Sequence, residues 1–239
     1  MAKRYGMVLD VERCIGCHTC TVACKMLYGT RPGVDYNSVE RVEWGEYPNA
    51  HQKFKLTMCM HCEDAPCVEV CPTGAMYTTE EGVVVIDYDN CIGCGACVTA
   101  CPYGQCHLVK DNVTSFEGAV APFEEEAANR LNIVEKCTFC YGRLQEGEQP
   151  ICTIHCPGQC RIFGDINDPE SDVSKYIKEK NTTHVEGTSI YYVVPKGMDR
   201  ALLPPDYAKA AAIAGGGYFH IKNNDKNQDS GSEGARNNG

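Results

Sequence analysis

Four cysteine blocks constrain this chain more than anything else in its sequence. Of its 239 residues 18 are cysteine, and they stand in short runs rather than spread evenly. The first run is CIGCHTCTVAC, with Cys14, Cys17, Cys20 and Cys24. The second, CMHCEDAPCVEVCP, holds Cys59, Cys62, Cys67 and Cys71, followed by Pro72. The third, CIGCGACVTACP, holds Cys91, Cys94, Cys97 and Cys101, followed by Pro102. The fourth, CTFCYGRLQEGEQPICTIHCP, holds Cys137, Cys140, Cys152 and Cys156, followed by Pro157. A fold that accepts these runs must either pair them as disulfides or wrap them around something that wants several thiolates at once.

Disulfides are the weaker option. A secreted disulfide scaffold is normally shorter and begins with a signal peptide. The start here, MAKRYGMVLDVERC, has neither an apolar h-region nor a twin arginine. Zinc prefers separated C-x2-C knuckles, without a third cysteine two residues further on. A C-x2-C-x2-C run instead points three sulfurs at one compact body. In the full C-x2-C-x2-C-x3-C-P pattern the fourth cysteine ligates the other cluster of a pair. Blocks one and three keep that spacing, with Lys25 in block one where block three has Pro102. Block two lengthens the step to its third cysteine (CEDAPC), and block four carries an inserted loop from Tyr141 to Ile151. The shared reading is iron-sulfur cubes: sixteen ligands, hence four 4Fe-4S clusters. Cys106 (CPYGQC) and Cys160 (CPGQC) are left over, and the expectation for both is a buried small side chain rather than a ligand or redox sensor.

The segments around the blocks repeat as well. RYGMVLDVERC and GVVVIDYDNC each run a short apolar strand into an acidic turn and then a first cysteine, so each block reads as strand, cysteine loop and short helix. Ala75–Tyr77 and Val83–Ile86 read as a hairpin turning at Glu80–Gly82. Lys25–Met58 carries the sole tryptophan, Trp44, and polar turns at TRPG and YPNA. EEEAANRL, with Glu124–Glu126, reads as a short helix with a solvated acidic face. Beyond Tyr192 an extended strap leads to a polar tail with the composition of a disordered segment. A net charge of -10, from 32 acidic and 22 basic residues, disfavours a nucleic-acid partner. The chain has no run of about 18 apolar residues, so it is not expected to span a membrane.

HCEDAPC, CPTGAM, CIGCGAC, ACPYG, KCTFCYGRL and PICTIHCP, in this order, resemble the four-cluster iron-sulfur (beta) subunits of the dimethyl sulfoxide reductase family of molybdopterin oxidoreductases. The resemblance runs from Tyr5 to Ile166. It implies an α+β fold of two pseudo-symmetric ferredoxin-like modules, each binding two 4Fe-4S clusters, with inserted loops and an extended C-terminal strap. One module would comprise residues 1–50 plus 130–192, the other 51–129, with strap and tail in 193–239. It implies four ligand sets: Cys14, Cys17, Cys20 and Cys156; Cys137, Cys140, Cys152 and Cys24; Cys59, Cys62, Cys67 and Cys101; Cys91, Cys94, Cys97 and Cys71. It implies a non-catalytic electron-transfer role beside a molybdopterin (Mo or W) catalytic subunit, and a membrane quinol-handling anchor subunit if one exists. A free-standing soluble polyferredoxin is the alternative. Lys25, His61, His107 and Arg143 sit beside ligands in sequence and are candidates for tuning potentials.

Overall fold

The computed structural model describes residues 2–110, 113–116, 119–127 and 130–214. Each cysteine block follows one local plan, in which a strand enters a loop with the first two cysteines and a short helix carries the third. β1 (Tyr5–Asp10) runs into block one and α1 (Thr19–Tyr28). β2 (Asn37–Trp44) and β3 (His51–Met58) form an antiparallel hairpin that delivers the chain to block two and α2 (Pro66–Glu69). β4 (Met76–Thr78) pairs with β5 (Val84–Ile86), which enters block three and α3 (Ala96–Ala100). β6 (His107–Leu108) pairs with β7 (Val134–Glu135), and block four follows with α4 (Tyr141–Gln145) and α5 (Ile151–Ile154). The described chain ends with β8 (Arg161–Asp165), α6 (Asp172–Lys180), β9 (Thr183–His184), β10 (Ile190–Val193) and α7 (Tyr207–Ala214).

The expected hairpin over Ala75–Ile86 is present, with Met76 opposite Ile86 and Thr78 opposite Val84. The acidic EEEAANRL segment is instead a 3-10 turn over Pro122–Ala127. Its Glu124 is not solvated: the carboxylate is buried and accepts from the backbone N–H of Ser115 at 2.8 Å and of Ala121 at 2.9 Å. The polar tail lies outside the described residues.

Prolines decide how long the block helices are. Pro72, Pro102 and Pro157 follow the last cysteines of blocks two, three and four, and a residue before proline is pushed out of the helical region. Cys101 is accordingly extended, at φ -72° and ψ 111°. Block one has Lys25 there, so α1 continues through Cys24 to Tyr28 and stops at Gly29, whose φ is 58°.

A four-stranded sheet in the order β8-β1-β10-β9 joins the start of the chain to its end. β1 is antiparallel to β8 and parallel to β10. Both faces of β1 are covered, which explains its unbroken apolar run. Met7 and Leu9 face the cysteine-rich core, whereas Val8 packs with Val173 of α6 and Val193. Complete burial of Met7, Val8 and Leu9 contributes about 1.5–3 kcal/mol each. α6 is held on that face by conventional end chemistry: the Ser171 hydroxyl accepts from the Ser174 N–H at 3.2 Å, and Lys178 and Lys180 sit in the last turn.

The loop of block three depends on a glycine. Gly93 has φ 65°, and a Cβ there would lie 1.7 Å from the Asn132 carbonyl oxygen. Gly33 has φ 82° with nothing within 4 Å of such a Cβ. Gly33→Ala is expected to cost about 1 kcal/mol for the left-handed backbone alone, and Gly93→Ala several-fold more because backbone must move. Thermal unfolding of the two holo variants checks this, and equal losses would remove the close-approach argument.

Candidate metal centres

The third residue of the first C-x2-C turn in each block is left-handed. Gly16 and Gly93 take φ 70° and 65° in blocks one and three, while His61 and Phe139 take φ 45° and 52° in blocks two and four. Non-glycine residues occupy this region at an energetic cost that the surroundings must repay. Here the compensation is packing. The His61 and Phe139 rings stack at 3.7 Å between centroids, and Phe139 meets Phe163 edge-on at 5.1 Å. His61 is fully buried, and its Nδ1 accepts from the Val84 N–H at 3.1 Å. Burial first, and then the Lys136 charge, hold its pKa well below the ordinary histidine value, so the ring is neutral.

The sulfurs border hollows rather than single points. Among the described residues no three His, Cys, Asp or Glu side chains close together as the ligands of one ion would. One hollow is bordered by Cys71, Cys91, Cys94 and Cys97. Another is bordered by Cys14, Cys17, Cys20, Cys156 and Cys160. In both, the last cysteine of one block stands with the first three of another, as the fourth-cysteine rule of paired clusters requires. Exposure then grades the blocks. Cys59, Cys62 and Cys67 are buried, as are Cys137, Cys140, Cys152 and Cys24. Blocks one and three each expose the second cysteine, Cys17 and Cys94. Ile15 and Ile92, beside them in the two CIGC turns, are 62% and 66% exposed.

Backbone N–H groups are aimed at several sulfurs. Met76 donates to Cys71 Sγ at 3.4 Å, Gln105 to Cys101 at 3.3 Å and Cys160 to Cys156 at 3.4 Å. These bonds form at the turns that the prolines impose after each helix. The two leftover cysteines are buried, as expected, but their surroundings are not ordinary core. Cys160 Sγ lies 3.3 Å from Cys156 Sγ. Hydrogen bonding to Cys14, then burial, pushes the Cys160 thiol far up. Hydrogen bonds to Cys101, Cys67 and Cys97 do the same to Cys106. In both, the neighbouring sulfurs and burial favour the protonated thiol.

Two buried cations complete the surroundings. Arg161, 2% exposed, donates from Nη2 to Cys20 Sγ at 3.3 Å and to Asn37 Oδ1 at 3.2 Å. Lys136, fully buried, donates to the Cys137 carbonyl at 2.8 Å, to the Val84 carbonyl, and to Cys59 Sγ at 3.8 Å. Burial opposes each charge, but the facing cysteine sulfurs outweigh it and keep both pKa values high. Among the described residues neither is in a salt bridge with a carboxylate. An unpaired buried charge costs several kcal/mol. Thiolate-ligated clusters, which carry negative charge, are the partners that such a site fits.

Of the four tuning candidates, only His61 faces this interior. Lys25 Nζ is taken by the Thr30, Arg31 and Val34 carbonyls and by Asp35 at 3.3 Å. Arg143 binds Glu148 at 2.6 Å and the Gln149 carbonyl at 3.1 Å on the inserted loop. Burial lowers the His107 pKa, and its Nε2 has no hydrogen-bond partner among the described residues. Sequence reasoning missed Lys136 and the role of Arg161. Each abuts a cysteine in sequence, as do Lys25 and other charged residues, and adjacency does not say which way a side chain turns.

Comparison with known proteins gives this arrangement its family. Two family descriptions, both of 4Fe-4S dicluster domains, match residues 13–75 and residues 50–118 and 110–166. A protein of Halobacterium salinarum, named provisionally as a dimethyl sulfoxide reductase iron-sulfur subunit, is 41% identical over 79% of this chain and 78% of its own. A selenate reductase subunit of Mesobacillus selenatarsenatis is 38% identical over 78% of this chain and 70% of its own. The arsenate respiratory reductase iron-sulfur subunit of a Shewanella strain is 33% identical over 83% of this chain and 99% of its own. With four cysteine quartets and these matches, the chain belongs to the iron-sulfur subunits of the dimethyl sulfoxide reductase type, non-catalytic electron-transfer proteins that carry four 4Fe-4S clusters.

Proposed function

We propose that this chain relays electrons to or from a molybdopterin (Mo or W) catalytic subunit of an anaerobic oxidoreductase, holding four clusters in a row. The grading of exposure carries the reading: blocks two and four bury their first three cysteines, whereas blocks one and three each reach the surface through a CIGC turn. Electron entry and exit need accessible ends, and burial of the interior keeps solvent from the sulfurs.

The proposed ligands are Cys14, Cys17, Cys20 and Cys156 at one end, followed by Cys137, Cys140, Cys152 and Cys24. Next come Cys59, Cys62, Cys67 and Cys101, and finally Cys91, Cys94, Cys97 and Cys71. The linings of the two hollows support the cross-block donations of Cys156 and Cys71. Cys106 and Cys160 are excluded as ligands and serve as S–H donors. The block-one end would dock the catalytic subunit, and exposed Ile15, Val22, Met26 and Ile154 suit an apolar interface there. The block-three end, with Ile92, would face a quinol-handling anchor subunit where the complex has one. No described helix is long and apolar enough to cross a membrane.

The architecture belongs to the same proposal. Residues 1–50 with 130–192 would form one ferredoxin-like module and 51–129 its pseudo-symmetric partner. The strand, loop and helix plan shared by the four blocks supports this, as does the sheet that joins β1 to β8 and β10. Residues 193–239 would form the strap and the polar tail, of which the described part ends at residue 214. Among the described ones, Tyr103 Oη donates to the Pro205 carbonyl at 3.2 Å, and the Tyr207 N–H to the Glu186 carbonyl at 2.9 Å.

Anaerobically purified chain should contain about sixteen irons and as many acid-labile sulfides. Cys71→Ala and Cys156→Ala should each lower the iron count and remove one spectroscopic cluster signal, whereas Cys106→Ala and Cys160→Ala keep the full count. Iron loss in the last two and not the first two would overturn the ligand assignment. Purified from its source, the chain should bring a molybdopterin protein with it; a stable monomer with no such companion would favour the free polyferredoxin. In the folded holo chain, Cys106 and Cys160 should resist iodoacetamide at pH 8 and react only after unfolding. Rapid labelling of either would overturn its assignment as a buried thiol.

A further inference from the structure

The two buried cations occupy equivalent places between successive quartets. Arg161 touches Cys20 of block one through Nη2, and its charge also faces Cys152 of block four. Lys136 touches Cys59 of block two and binds the carbonyl of Cys137, the first cysteine of block four. Neither position is reached by solvent, since Arg161 is 2% and Lys136 0% exposed.

Among the described residues neither charge is paired with a carboxylate. Glu135, next to Lys136 and itself buried, is bound by the Tyr36 hydroxyl at 2.8 Å and by Arg130 at 3.5 Å. Arg161's remaining polar contacts are neutral, Asn37 Oδ1 and Met58 Sδ at 3.4 Å. A lysine or arginine placed here by chance would cost more than a leucine or methionine of similar volume. The compensation has to come from the sulfur side. Adding one electron to a thiolate-ligated cluster adds one negative charge, which burial opposes and a nearby fixed cation favours. The quartets of blocks one and three, with Cys17 and Cys94 exposed, have water to share in supporting that charge; the first three cysteines of blocks two and four are buried.

We infer that Arg161 and Lys136 are fixed counter-charges that raise the reduction potentials of the clusters they adjoin. Arg161 acts at the junction of the Cys14 and Cys137 quartets, and Lys136 at the junction of the Cys137 and Cys59 quartets. The inference rests on the four-cluster reading above, and it makes the block-four quartet the one flanked by two cations. Both are positioning residues, since they act through ligand sulfurs and backbone carbonyls.

The test uses the holo chain with Lys136→Met, Lys136→Arg, Arg161→Met and Arg161→Lys, each measured for iron content and by EPR-monitored redox titration. Lys136→Met should lower two of the four midpoints, each by at least a tenfold change in the reduction equilibrium, about 59 mV for one electron. Arg161→Met should lower two midpoints by a similar amount, one of them shared with the Lys136→Met set. The charge-keeping variants should retain both iron and wild-type potentials. Full iron content with unchanged midpoints in the methionine variants would overturn the inference. So would iron loss as severe in the charge-keeping variants as in the neutral ones, because the need would then be for shape. Where the neutral variants alone lose iron, lowered midpoints in their surviving clusters would support the inference and unchanged ones would overturn it. A wild-type count well short of about sixteen irons would instead remove the four-cluster reading itself.

Discussion

The pairing of β1 with β8 organises the rest of the molecule. It sets Leu9 directly opposite Arg161 and Val8 opposite Ile162, across more than half the chain. Residues directly opposite in an antiparallel pair share a face of the sheet. Leu9 faces the cysteine core, so Arg161 is carried to that side and meets Cys20, while Ile162 turns toward Val8 and α6. A slip of one residue would exchange the two and place an isoleucine among the sulfurs. The same pairing brings block four alongside block one: the Asp10 N–H donates to the Cys160 carbonyl at 2.8 Å, and Cys156 stands with Cys14, Cys17 and Cys20 around one hollow.

Local chemistry does the remaining sorting. Three blocks end their helices with proline, which turns the chain sharply and aims a backbone N–H at the last cysteine of blocks two, three and four. Block one lacks the proline, and its last cysteine lies inside a continuing helix, buried, facing Cys152 and Cys140. The lysine that stands in block one where the other blocks have proline therefore marks a different geometry for the same task. α1 carries Cys24 to the side of Cys152 on α5.

The cysteine quartets, the strand-loop-helix plan and the β4–β5 hairpin were all legible because each has a short-range signature: ligand spacing, period-two apolar runs, turn residues. What was not legible has long-range causes. The β2–β3 hairpin was seen only as its turn at YPNA, since Val39, Val42 and Trp44 are interspersed with charges and half-buried. α6 announces itself only by Ser171 at its cap and Asn181 at its end, signals easily lost after four cysteine blocks. Glu124 read as part of a solvated acidic face because its buried partners, the Ser115 and Ala121 N–H groups, come from a fold-specific turn. Lys136 and Arg161 are invisible for the same reason: whether a charge beside a cysteine points to water or to sulfur is set by sheet register.

The third residue of the first C-x2-C turn in each block separates blocks one and three from blocks two and four. All four of these turns take the left-handed backbone, and glycine supplies it without strain. Blocks one and three use glycine, and the chain takes advantage of the missing side chain by packing close: Phe54 lies over Gly16 and the Asn132 carbonyl over Gly93. In blocks two and four, glycines would leave a void between two cysteine loops, and voids in a core of this density are costly. His61 and Phe139 fill that space by stacking on each other, at the expense of two strained backbones. The junction so made is dry, and dryness is what gives the nearby Lys136 its leverage, because a charge acts most strongly where no water screens it. Strained aromatics and a buried cation are then two parts of one arrangement, the first excluding water from the junction and the second replacing the charge stabilisation that water would have provided.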